Sequence, residues 1–246
     1  KMTITPTSVY FQQTLDRVVM GVASGTFDYN SFLKEIIHEM TKSGLRTVDY
    51  ASGWHNRIEV ATRRAVMTGI TQLTGQINDY NAQQLDTEYF EVSWHATARP
   101  EHQVWQGKVF SRQELIDICG LGTGPGLCGW NCYHSYWPFI PGVSKRQWTD
   151  EQLEKMNATE NTPKKYKGKE YTKYEATQRQ RQLESLMRIQ RQRIQLLKEG
   201  GANAEDITAA QAKYRATMAQ YVNFSKAMNL PQQRERIYMD GLGRVG

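Results

Sequence analysis

The stretch HATARPEHQVWQGKVF, residues 95–110, places His95, Arg99, His102 and Lys108 close together, and CGWNCYH, residues 128–134, adds Cys128, Cys132 and His134. Two histidines and a cation could cleave RNA. One imidazole would take the proton of a 2′-hydroxyl, the other would protonate the leaving oxygen, and the cation would stabilise the phosphorane. Histidine suits the task because its ordinary pKa lies near neutrality. In this reading His95 and His102 move the protons, Lys108 supplies the charge, Arg99 binds phosphate and Glu101 orients a histidine. The activity would be metal-independent and RNase-like, or a transferase of the ADP-ribosyltransferase kind.

The same side chains could hold a metal. His95, His102, Cys128, Cys132 and His134 are candidate zinc ligands, since zinc accepts histidine and cysteine in any mixture. The spacings H-x6-H and C-x3-C-x-H are not zinc-finger spacings, so the two halves would have to meet in space. A third reading requires no cofactor. His95 and His102 hydrogen-bond the backbone of a glycine-dense loop, with glycines at 120, 122, 124, 126 and 129. Arg99 stacks on Trp94 or Trp105, and Cys128 and Cys132 are small buried residues. Polar networks of this kind hold irregular segments that lack ladder hydrogen bonds of their own. Taken alone, the residues favour this scaffold reading, and the three differ in what the histidines converge on: a cleft, a metal or a backbone.

The elements that must position these residues read as α+β. Helical spacing marks 7–25 and 31–44, with Gly44 as a stop and His38 on the second helix. A longer helix is expected from about 56 to 85, with Ile58, Ala65, Ile70, Leu73, Ile77 and Tyr80 on one stripe and Glu59–Arg63 at ion-pair spacing. The texture then changes. YFEVSW and HSYWPFIPGV read as strands of a small antiparallel sheet and QVWQGKVFS as a strand or turn-strand punctuated by Gly107, with RQELIDICG a short helix. WTDEQLEKMN is a short helix capped by Thr149 or Asp150, and NTPKKYKGKEY reads as a basic linker. From about 172 to 198, Leu183, Met187, Ile194 and Leu197 form a coiled-coil-like seam. From 205 to 228, Ile207, Tyr214, Met218, Tyr221 and Met228 repeat it across a Gly-Gly turn, so an αα-hairpin is expected. The expected regions are an N-terminal helical region (1–86), a His/Cys/Trp-rich β module (87–148) and a basic helical region (149–246).

The chain has 246 residues, a formal net charge of +6 and three cysteines. So few cysteines, so closely clustered, do not make a disulfide framework, and a reducing compartment is the simpler reading. No run is long and apolar enough for a transmembrane helix, and KMTITPTSVYFQQ has no apolar signal core. Residues 1–150 carry 13 Lys+Arg against 14 Asp+Glu, whereas 151–246 carry 18 against 11. The positive excess lies wholly in the C-terminal part. It suits DNA or RNA contact through the basic hairpin, and equally a solvated helical face.

Four segments carry a resemblance to a known family: YASGWHNRIEVATRRAVMTGITQ (50–72), SWHATARPEHQVWQGKVFS (93–111), GTGPGLCGWNCYHSYWPFIPGVS (122–144) and YTKYEATQRQRQLE (171–184). Together, and in order, they resemble the type 2 minor capsid proteins of bacteriophages and prophages of Gram-positive bacteria. The resemblance covers the family's habitual residues at His95, Ala98, Arg99, His102, Trp105, Gln106, Gly107, Lys108, Gly129, Asn131, Cys132 and His134. It departs at Thr97, where glycine is usual, and at Tyr133, where arginine is usual. The resemblance implies a virion protein associated with portal and capsid proteins, made in the bacterial host cytoplasm during head assembly and similar in role to Mu F-like head proteins. It also implies that the chain is the C-terminal part of a longer protein. Because related head proteins carry toxin or nuclease modules, a nuclease-like or transferase-like effector module using His95, His102 and Lys108 stands as the alternative to a purely structural role.

Overall fold

A computed structural model describes residues 55–238 and 242–243, with scattered positions before 55. The helices expected over 7–25 and 31–44, with His38 and Gly44, lie largely or wholly outside the described residues. The chain divides into two compact units, residues 1–155 and 156–246.

In the first unit, β1 (Thr47–Asp49) and β2 (His55–Arg57) pair antiparallel, a hairpin that the sequence reading did not contain. Helix α1 (Ile58–Gln84) follows directly. Its buried face keeps only part of the large-residue stripe expected. Ile58 is buried, but Ile77 and Tyr80 are exposed, and Ala61, Thr62, Val66, Gly75 and Ala82 complete the buried face. Small residues let a strand approach the helix closely. A Cβ on Gly75 would meet the hydroxyl of Tyr136 at 2.9 Å. That hydroxyl hydrogen-bonds Asp79 at 2.9 Å, and Arg112 pairs with the same carboxylate at 2.8 Å. Glu59 is buried rather than exposed, and Arg57 donates to it at 2.6 Å.

Strand β3 (Tyr89–Val92) is the centre of a three-stranded antiparallel sheet, flanked by β4 (Val109–Ser111) and β5 (Tyr136–Phe139). Phe90 faces Phe110 on one side and Pro138 on the other. Proline cannot donate to a ladder and so belongs on the edge strand β5. Between β3 and β4 the chain turns through α2 (Pro100–Gln103), so that QVWQGKVFS runs as a turn and then strand, with Pro100 at the first position of α2, where a missing N–H costs nothing. Gly107 closes that turn at φ +74°, and a Cβ there would collide with Leu153. Helix α3 (Arg112–Asp117) begins with a capping box between Ser111 and Glu114. The core gathers Phe90, Val92, Trp105, Leu115, Leu127, Cys132 and Tyr136. Helix α4 (Asp150–Asn161) spans the division between units.

In the second unit, the presumed linker is a hairpin of β6 (Lys164–Tyr166) and β7 (Lys169–Tyr171). Lys167 and Gly168 form its two-residue turn, both with positive φ as such hairpin turns require. Tyr166 and Tyr171 pack edge-on against Phe224, at 5.2 and 5.3 Å between ring centres. Helices α5 (Lys173–Glu199) and α6 (Ala204–Ala227) form the expected αα-hairpin, and a short α7 (Glu235–Tyr238) follows. Leu183, Met187, Ile194, Tyr221 and Phe224 are buried in its seam. The basic run of α5 is not wholly outward. Arg188 and Arg191 are buried, donating to the carbonyls of Arg236 at 2.7 Å and Gly243 at 2.6 Å. Gln180 and Gln190 are also held in the hairpin, donating to Ser225 and Thr217 at 2.9 Å each.

Candidate functional site

The glycine loop between α3 and β5 has no regular secondary structure, so its shape is fixed by close packing and side-chain hydrogen bonds. Gly126 and Gly129 sit where a Cβ would strike the backbone of Gly120 and of Gly124. Cys128 and Asn131 both take positive φ, which doubles the chain back on itself. The reversal delivers Cys132 and His134 to the underside of the α2 turn, where His102 and Trp105 wait.

His102, Cys132 and His134 are each no more than 3% exposed. His102 Nδ1 and His134 Nδ1 are 3.4 Å apart. Cys132 Sγ lies 3.6 Å from His134 Nδ1 and 3.9 Å from His102 Nδ1. Trp105 closes the cluster, with ring centres 4.5 Å from His102 and 4.8 Å from His134.

The outer nitrogens are engaged too. Gln106 Oε1 accepts the main-chain N–H of His95 at 3.0 Å, which fixes the orientation of that amide. The same oxygen lies 2.9 Å from His134 Nε2, so Nε2 carries the hydrogen and Nδ1 is left bare. His102 Nε2 lies 2.9 Å from the Pro125 carbonyl. Arg99 Nη2 reaches both that nitrogen, at 2.6 Å, and that carbonyl, at 2.7 Å.

His95 stands beside the cluster, its ring centre 4.8 Å from that of His134. Its Nε2 meets Ser93 Oγ at 3.1 Å, and the ring also bonds the Tyr133 carbonyl. Cys128 Sγ turns to the His134 carbonyl at 3.8 Å. Lys108 is exposed, and its ammonium donates to the Val104 carbonyl at 2.8 Å. A groove of about 250 Å³ in this unit is lined by Gln72, Asp79, Arg112, Thr123 and Tyr136 among others; His95, His102 and Lys108 take no part in it.

Burial sets the electrostatics. It holds His134 down at about 3, helped by His95, His102 and Arg99 nearby. Burial also lowers His95 and His102. It raises the Cys132 thiol, and it pushes Cys128 up to about 12. Two buried imidazoles, with His95 edge-on to one of them, therefore favour the neutral form beside a protonated thiol.

Of the residues singled out in the sequence, the structure brings His102, Cys132 and His134 together and sets His95 and Arg99 around them. Lys108 and Cys128 lie apart from the cluster. That His102 meets the backbone of the glycine loop agrees with the scaffold reading of the sequence; that the group is the Pro125 carbonyl only the path of the loop reveals.

A family model described as phage minor capsid protein 2 matches residues 1–224. The chain belongs to that family. The match spans the first unit and most of the second, so both are parts of a phage minor capsid protein, a virion component. No curated protein and no solved structure matches the chain. Among the described residues, no helix is long and apolar enough to cross a membrane.

Proposed function

We propose that this minor capsid protein is a structural part of the phage head at the portal, in which residues 87–148 form a rigid module and the helical hairpin offers contact surface to portal and capsid proteins. The observation that carries the reading is the inward direction of the histidines. His102 and His134 are buried, their outer nitrogens face Pro125 and Gln106, and Lys108 is committed elsewhere on the surface. General acid–base chemistry on RNA needs two imidazoles within reach of a substrate, and of His95, His102 and His134 only His95 is partly exposed. In the second unit, burial of Arg188 and Arg191 removes two cations from the face that nucleic acid would meet.

Co-expression with the portal protein and, separately, with the major capsid protein of the same phage tests the assignment. Co-elution with portal is expected, and binding to the major capsid protein alone would overturn the portal placement. The effector alternative predicts cleavage of RNA or DNA that a His95→Ala, His102→Ala double variant loses. The structural reading predicts no signal above background for either protein.

A further inference from the structure

We infer that His102, Cys132 and His134 form a binding site for a divalent transition metal of the zinc class, ligated through His102 Nδ1, His134 Nδ1 and Cys132 Sγ. The inference rests on the geometry of the loop, not on where in the virion the protein sits.

The first argument is distance. A tetrahedral zinc ion, with bonds of about 2.05 Å to nitrogen and about 2.3 Å to sulfur, sets two nitrogen ligands about 3.3 Å apart and a nitrogen and a sulfur about 3.6 Å apart. The three atoms here are separated by 3.4, 3.6 and 3.9 Å. They are the atoms of the only such group of histidine, cysteine and acidic side chains among the described residues.

The second argument is the hydrogen-bond inventory. His134 Nδ1 is bare because its Nε2–H is spent on Gln106, whose orientation the His95 backbone fixes. Without an ion, the Cys132 thiol at 3.6 Å can donate to that lone pair; a cation in place of the thiol proton would meet both nitrogens and the sulfur at once. Ligating histidines ordinarily donate their second ring N–H to a carbonyl or carboxylate, which fixes the tautomer. Here Gln106 Oε1 serves His134, and the Pro125 carbonyl lies 2.9 Å from His102 Nε2, where it would accept that N–H once Arg99 Nη2, 2.6 Å from the same nitrogen, gives its own hydrogen to the carbonyl alone.

The third argument is the loop itself. Glycine-rich and without ladder bonds, it would be tied by the ion to the α2 turn, Cys132 and His134 from one side and His102 from the other. Binding forms the metal–sulfur bond and releases the Cys132 thiol proton to solvent. His95 and Cys128 are engaged with Ser93 and the His134 carbonyl, so the fourth position falls to water. The ligand set of two nitrogens and one thiolate selects zinc-like metals over magnesium or calcium, which require oxygen.

The test uses the full chain, stripped with a chelator and then titrated with Zn²⁺ and with Co²⁺. One equivalent should bind, raise the melting temperature, and give with Co²⁺ a thiolate charge-transfer band that Mg²⁺ and Ca²⁺ do not mimic. Cys132→Ser should lose that band while Cys128→Ser keeps it. Gln106→Leu should weaken affinity by roughly 10–100-fold, the effect expected when a ligand loses its outer hydrogen bond. If the stripped wild type takes up no metal at micromolar concentration, or if the band survives in Cys132→Ser, the site does not exist. His102 would then carry the other tautomer, with Arg99 donating to Nε2 and Nδ1–H directed at His134. The wild-type titration needs no variant to fold, so it decides the matter by itself.

Discussion

Gln106 Oε1 lies 2.9 Å from His134 Nε2 and ties that buried imidazole to the main chain at His95, just past β3. Two donors converge on one side-chain oxygen that is itself in the core. Replacing Gln106 with Leu keeps the volume and removes the acceptor, leaving a buried ring N–H and a main-chain N–H without it. We expect a loss of about 2–4 kcal/mol, since an orphaned buried donor costs about 1–3 kcal/mol and the partly exposed His95 N–H lies at the low end of that range. Urea unfolding of the purified chain measures it. A cost under half a kcal/mol would show that the cluster is not held this way.

The glycine loop makes a second prediction by contrast. A Cβ at Gly129 would strike backbone oxygens of Thr123 and Gly124, which cannot swing aside as a side chain would. A Cβ at Gly122 meets nothing within 4 Å, although its φ of +89° disfavours any side chain. Gly129→Ala should therefore cost about 3 kcal/mol or more from overpacking, and Gly122→Ala about 1 kcal/mol from backbone strain. Thermal melts of the two variants should rank in that order. Equal losses would mean that the loop is free to relax around residue 129.

The sequence carried the α+β class and the helical hairpin because both rest on long amphipathic spacing, as at Leu183, Met187 and Ile194. It did not carry the buried face of α1. Close approach of Tyr136 selects Gly75 over larger residues, and small buried residues such as Gly75 and Ala82 give little hydrophobic signal. The β6–β7 hairpin was hidden for a related reason: of each three-residue strand, only Tyr166 or Tyr171 packs inward, and charged residues (three lysines and Glu170) supply the rest. At the site, the residue types were legible but their grouping was not. His102 lies some thirty residues from Cys132 and His134, and only the left-handed turns at Cys128 and Asn131 bring them together. Nothing in the spacing distinguished Cys132 from Cys128.

Thr97 yields a third prediction. It adopts φ +63°, a left-handed conformation that a β-branched residue enters at a cost and glycine enters freely. This is the position where the resembling family usually has glycine, so the departure read in the sequence is a site of backbone strain in the structure. Thr97→Gly and Thr97→Ala both delete the hydroxyl, and only glycine relieves the strain. The glycine variant should be the more stable of the two by about 1 kcal/mol. Parallel denaturant titrations compare them directly, and an alanine variant equal to glycine would deny the strain.

The fourth prediction concerns Arg191, which reads as one more cation in QRQRQLESLMRIQRQR and is 1% exposed. Its guanidinium donates to the Gly243 carbonyl at 2.6 Å and lies 4.7 Å from the centre of the Tyr238 ring. A buried cation supplied with a carbonyl and an aromatic face is a clamp on the segment that follows α6, and not a phosphate contact. Arg191→Met keeps the unbranched stem and removes the charge, so the methylene packing survives while the carbonyl loses its donor. Loss of one charge-assisted hydrogen bond and one cation–π contact should cost about 2–4 kcal/mol. The loss should be local first, seen as faster proteolysis near residues 230–243 while α5 and α6 remain protected. The salt dependence of any nucleic-acid binding should not change, because a buried arginine releases no counterions. A variant with wild-type proteolysis and a shallower salt slope would place Arg191 on the surface and return it to the nucleic-acid reading.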